Sequence, residues 1–87
     1  MASSTPVALI TGAAHRLGAH TARHLHQRGW NLVIHYRSRE ASANALRDEL
    51  NSIRQESAVA IQADLAAPDQ TESLAHQAIS TWGRLDG

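Results

Sequence analysis

The 87-residue sequence contains no cysteine and no lysine, and only three aromatic side chains, Trp30, Tyr36 and Trp82. Without cysteine there is no disulfide framework, no thiolate nucleophile and no Cys-based zinc or iron–sulfur site, so stability must come from packing. A net excess of either charge is missing too: eight arginines balance eight acidic residues, for a formal net charge of zero. That balance provides no counterion-release drive toward nucleic acid and no polybasic attraction to an anionic membrane. No apolar run exceeds the four residues of Val7–Ile10, far short of the roughly 20 needed to span a bilayer. The opening Met1–Pro6 has neither the basic nor the apolar region of a secretory signal. With 43% hydrophobic residues, the composition predicts one small globular unit, or part of one, with a cytoplasmic location.

Hydrophobic patterning predicts an alternation of strands and helices. Val7-Ala8-Leu9-Ile10 has the composition of a parallel strand buried on both faces, and it stops at Thr11-Gly12. Between Arg16 and Arg28, Leu17, Ala22 and Leu25 approximate helical spacing, and Gly29 stands where a left-handed cap belongs. Trp30–Tyr36 is again β-rich, completing a unit of βαβ size. A second helix over about 40–55 has Leu46, Leu50 and Ile53 as its expected buried stripe, and Ala58–Gln62 supplies a third strand. Pro68 opens a third helix at the position proline tolerates best, Leu74, Ala78, Ile79 and Trp82 mark its stripe, and Gly83 closes it. Trp30 and Trp82 are expected to pack against the sheet, and Arg84–Gly87 reads as a chain entering another strand.

The predicted architecture is α/β, the N-terminal βαβαβα half of a Rossmann-type doubly wound parallel sheet. Its strands fall at about 6–11, 30–36 and 58–62 in the order 3-2-1, and its helices near 16–28, 40–55 and 68–83. Such a half leaves the first strand on an open, uncharged apolar edge, an arrangement natural proteins avoid. Residues 1–87 are therefore expected to be the N-terminal segment of a longer single-domain protein, marginally stable and prone to self-association if isolated.

Thr11-Gly12-Ala13-Ala14-His15-Arg16-Leu17-Gly18 lies between a predicted strand and a predicted helix, where backbone N–H groups and the positive helix end suit a pyrophosphate. Gly12 allows the tight turn, Gly18 a close approach of the helix, and Ala13 and Ala14 leave room for a ligand. A cation at residue 16 is unfavourable at a helix N-terminus unless an anion sits there. Dinucleotide folds that take NAD place an acid at the end of the second strand. Here that place reads His35-Tyr36-Arg37-Ser38-Arg39, two guanidiniums and a hydroxyl able to bind a 2′-phosphate, which points to NADPH. A solvated basic turn partly neutralised by Glu40 is the alternative.

These motifs resemble the short-chain dehydrogenase/reductase superfamily, whose signature is Thr-Gly-xxx-Gly-x-Gly. Arg16 stands at the middle glycine position, a variant similar to the pteridine reductases. The likeness continues through His35-Tyr36-Arg37-Ser38, Ala43-Asn44-Ala45-Leu46, Gln62-Ala63-Asp64-Leu65 and Trp82-Gly83-Arg84-Leu85-Asp86. It implies cofactor contacts from Gly12, Arg16, Leu17, Gly18, Tyr36, Arg37, Ser38, Arg39, Asp64 and Leu65. Arg16 would also reach the pteridine, and Asp64 would meet the adenine amino group, although an Asx-turn ahead of Pro68 explains Asp64 equally well.

The resemblance further implies hydride transfer from NADPH to an oxidised pterin, in a homo-oligomer of tetramer type. Another NADPH-dependent keto reductase would share most of these residues. The family's catalytic Tyr-xxx-Lys pair cannot lie in a chain without lysine, so no catalytic residue is assigned and the chain alone is expected to be inactive. A non-catalytic nucleotide-binding product is the other alternative. Six histidines raise the question of a metal, particularly His20 and His24 at i, i+4. No carboxylate completes a recognisable ligand set, so no metal is expected. His15, inside the turn, could add positive charge there.

Overall fold

The computed structural model describes residues 5–13 and 16–87. Strand β1 (Val7–Ile10) leads through α1 (Arg16–Gln27) to β2 (Asn31–Tyr36), then through α2 (Glu40–Ile53) to β3 (Ala58–Gln62) and α3 (Pro68–Trp82). The elements match the expected ones to within two residues at each end. All pairing is parallel, in the order β1-β2-β3. Val7 stands opposite Asn31 and Ile10 opposite Ile34, while Leu32 stands opposite Ala58 and Tyr36 opposite Gln62.

Strand periodicity divides the apolar residues between two faces. Ala8, Leu32, Ile34 and Ala58 pack with Ala22, Ala43, Leu46 and Leu50 of α1 and α2, with Trp30 and Tyr36 at the margin. Val7 and Val33 pack with Ala78 of α3, joined by Leu9, Val59, Ile61, Trp82 and Leu85. Helices therefore cover both faces, as buried parallel strands require. Leu32, Ile34 and Leu50 are at most 1% exposed, and burial of a side chain of this size contributes about 1.5–3 kcal/mol.

Three expected core positions are corrected. Leu17, Ile53 and Ile79 are exposed, at 84%, 68% and 48%. At 3.6 residues per turn, Leu17 lies about 140° around the helix from Ala22, and Ile79 about 140° from Leu74. Ile53 keeps the angle of Leu46 but is the last residue of α2, where the chain leaves the helix at an extended Arg54.

Arg54 donates from Nη1 to the His26 carbonyl at 3.2 Å, and from Nη2 to the Trp30 carbonyl at 2.6 Å and Asn31 Oδ1 at 3.2 Å. Beside it, the Ser57 hydroxyl donates to the Arg54 carbonyl at 2.5 Å, so the His26 Nε2–H donates to Ser57 Oγ at 2.7 Å. Asn51 Oδ1 accepts from the Ser57 and Ala58 amides, each at 2.9 Å. This network closes the N-terminal end of the strands. Burial and the Arg54 cation lower the His26 pKa, in that order, against a smaller opposing pull from Glu49.

The last residues run along the free edge of β1. The Gly87 amide donates to the Val7 carbonyl at 3.2 Å and the Leu9 amide to the Gly87 carbonyl at 2.7 Å, the alternation of a parallel pair. Asp86 also accepts from the Val7 amide at 2.9 Å and from Arg84 at 2.7 Å on each oxygen. These donors, Arg84 first, hold its carboxyl below the usual range. The edge that the sequence leaves open is thus partly covered, in the manner of an entering strand.

Candidate functional site

The three strands deliver their C-terminal ends to one rim, where the Gly12 turn, the Arg37–Arg39 loop and the Ala63–Asp64 loop come together. Gly12 adopts φ of 64°, the left-handed conformation glycine accepts most readily. A Cβ at Gly18 would lie 2.6 Å from the Gly12 carbonyl oxygen and 2.8 Å from the Ala13 Cα, so α1 can sit this close to the turn only with glycine there. Ala14 and His15 lie outside the described residues, and with them the proposal for His15.

The donors of the turn differ from expectation. The Gly12 amide donates to His35 Nδ1 at 3.2 Å, and the Ala13 amide to the His35 carbonyl at 3.2 Å. Both are committed within the protein. Gly12 therefore shapes the turn, and its own N–H is not free for an anion.

Arg16 is exposed in the first turn of α1. It borders one concavity with Leu17, His20 and Arg23, and a second, between α1 and α2, with Ala13, Ser42 and Glu49 among its lining. Arg23 closes that second groove by donating to both Glu49 oxygens at 2.7 and 3.0 Å, which holds the Glu49 carboxyl below its usual range.

At the end of β2, Tyr36 is half-buried while Arg37, Ser38, Arg39 and Glu40 are exposed. Arg39 is the N-cap of α2, and no side chain caps the helix. Among the described residues no ion pair engages Arg37, Arg39 or Glu40. Two free guanidiniums beside an uncapped helix N-terminus form an electropositive corner suited to a phosphate dianion. Gln62 Nε2 donates to the Arg37 carbonyl at 3.1 Å, tethering this loop to β3.

Asp64 forms an Asx-turn, with Oδ1 accepting from the Ala66 amide at 3.0 Å, and its own amide donates to Gln70 Oε1 at 2.8 Å. Leu65 is exposed, and its carbonyl accepts from Thr71 Oγ1. The loop is thus shaped by Asp64 itself and by Gln70 and Thr71 in the first turns of α3. No group of three His, Asp or Glu side chains clusters in metal-ligating geometry among the described residues. Nor is any described helix long and apolar enough to cross a membrane.

Sequence reasoning assigned no role to three residues that build this rim: His35 and Gln62, seen only as part of the family likeness, and Gln70. For His35 a signal existed. In Leu32-Val33-Ile34-His35 it shares the strand face of Val33, so it must be buried, and a buried imidazole at a strand end needs partners there.

A family model described as short chain dehydrogenase matches residues 6–87. The chain belongs to the short-chain dehydrogenase family. It is 46% identical over 63 residues to pteridine reductase 1 of Leishmania tarentolae, covering 72% of this chain and 22% of that protein. Over 80 residues it is 40% identical to a probable tetrahydroxynaphthalene reductase of Zymoseptoria tritici and 40% identical to the versicolorin reductase of Emericella nidulans. Each of those matches covers 92% of this chain and 30% of the relative. The chain thus spans less than a third of the length of these reductases. Short-chain dehydrogenases use nicotinamide cofactors, and the close Gly12–Gly18 approach and the corner where Arg37 and Arg39 outnumber Glu40 fit such a dinucleotide.

Proposed function

We propose that this chain is the NADPH-binding segment of a short-chain reductase acting on pteridines by hydride transfer. The observation that carries the cofactor choice is the pair of guanidiniums, Arg37 and Arg39, without an ion-pair partner among the described residues, beside Ser38 at the uncapped start of α2, where β2 ends without an acid and Glu40 offsets only one of the two charges. Arg37, Ser38 and Arg39 would hold the 2′-phosphate. Gly12 and Gly18 would shape the turn under the diphosphate, with Arg16 donating to it and Leu17 beside it. Tyr36, Asp64 and Leu65 would flank the adenine end. When bound, the nicotinamide would supply the hydride, and the chain's own residues would bind and orient it, since the lysine of the family's proton-donating pair is not among them.

Arg16 supports the pteridine choice, because a planar guanidinium can donate to phosphate and also stack on an aromatic ring. A keto reductase is the second reading, favoured by the naphthalene and versicolorin reductases that match over more of the chain. The test is Arg16→Ala in the protein as encoded by its complete reading frame. NADPH and NADH affinities should fall equally, because both share the diphosphate, with an added loss in dihydropterin turnover. Unchanged pteridine turnover, or turnover of hydroxynaphthalenes in place of pterins, would overturn the pteridine assignment and leave the cofactor reading standing.

A further inference from the structure

The least expected group at the rim is the imidazole of His35, 4% exposed at the end of the central strand. Nδ1 accepts from the Gly12 amide at 3.2 Å, so the ring proton belongs to Nε2, which donates to the Ala63 carbonyl at 2.8 Å. The backbone on either side repeats the connection. The His35 carbonyl accepts from the Ala13 amide at 3.2 Å and the Tyr36 carbonyl from the Ala63 amide at 3.1 Å. One ring therefore joins the glycine turn after β1 to the Asp64 loop after β3, across the strand between them. We propose that His35 is a positioning residue that fixes the separation and conformation of these two loops, acting through its neutral Nε2–H tautomer. It touches no reacting atom.

The role depends on an acceptor and a donor at opposite ends of one rigid ring. A buried amide or carbonyl that loses its partner destabilises its local conformation. Release of the Gly12 amide would loosen the left-handed turn against which Gly18 packs. Release of the Ala63 carbonyl would loosen the entry to the Asp64 loop. An asparagine places its Oδ1 near the position of Nδ1, so it can keep the Gly12 contact alone, whereas leucine keeps neither.

This inference rests on the dinucleotide reading above for its functional consequence, and its test separates the two. In the protein as encoded and without nucleotide, nitrogen NMR of labelled histidine should show His35 as the Nε2–H tautomer with the Gly12 amide protected from exchange. His35→Leu should abolish that protection and speed exchange around Ala63, while His35→Asn should restore it at Gly12 only. Titrated with NADPH and with NADH, His35→Leu should weaken both by about tenfold, and His35→Asn should recover most of that loss. An Nδ1–H tautomer, an unprotected Gly12 amide in the wild type, or a leucine variant that binds both nucleotides as the wild type does would overturn the proposal. Should the wild type bind neither nucleotide, the cofactor reading falls, and the tautomer and exchange results decide the His35 link by themselves.

Discussion

The two ends of the sheet are built from the same residue types and use them in opposite ways. At the N-terminal end, Arg54 donates to three oxygens and His26 is buried against Ser57. At the C-terminal end, Arg37 and Arg39 make no ion pair among the described residues and the start of α2 is uncapped. Arginine count alone would not separate them. The difference lies in whether the hydrogen-bonding capacity of each guanidinium is met inside the fold, and an unmet, exposed cation at a helix N-terminus suits an anion from outside. His35 is the exception that sharpens the contrast, a satisfied, buried group at the otherwise open end.

Substitutions at the two ends should therefore fail differently. The largest effect is expected at Gly18→Val, where the new side chain meets backbone it cannot displace cheaply. Overpacking of this kind should cost about 3 kcal/mol or more in urea unfolding and abolish nucleotide binding with it. Arg54→Ala should cost about 2 kcal/mol, from three lost charge-assisted bonds that leave their acceptors part-buried. Because it acts far from the rim, the ratio of NADPH to NADH affinity should stay at the wild-type value.

A smaller effect is expected from pH. The folded-state pKa of His26 lies below its ordinary value of 6.5, so the unfolded chain takes up the proton first. Its contribution to stability is complete above pH 6.5 and declines as pH falls from there through the lower folded-state value. Urea midpoints measured from pH 7.5 downward should show this decline, with Arg54 and Glu49 the charges facing the ring. His26→Gln should flatten it.

Much of the fold was legible in the sequence, because short apolar runs, helical spacing and Gly/Pro punctuation are local signals. Strand order and helix limits followed from them. What local spacing could not supply was angle relative to a neighbour. Leu17 and Ile79 joined the expected stripes by being apolar and near in number, but Leu17 lies on the far side of α1 from its buried residues and Ile79 on the flank of α3. At the candidate site, the cationic loop and the glycine turn were visible as residue types. The commitment of the Gly12 and Ala13 amides was not, because it depends on a histidine more than 20 positions away whose ring reaches across two strand ends. Gln62 and Gln70 were invisible for the same reason, since exposed glutamines carry no signal until the loops they hold are in place.

The comparison of the two ends is tested most directly by Arg37→Asp, with NADPH and NADH affinities measured side by side in the protein as encoded. A carboxylate at this position repels the 2′-phosphate and removes a charged donor. NADPH binding should weaken by on the order of 2 kcal/mol or more, roughly thirtyfold, with a much smaller change for NADH. Equal losses for the two nucleotides, or none for either, would contradict the assignment of this corner as the phosphate site.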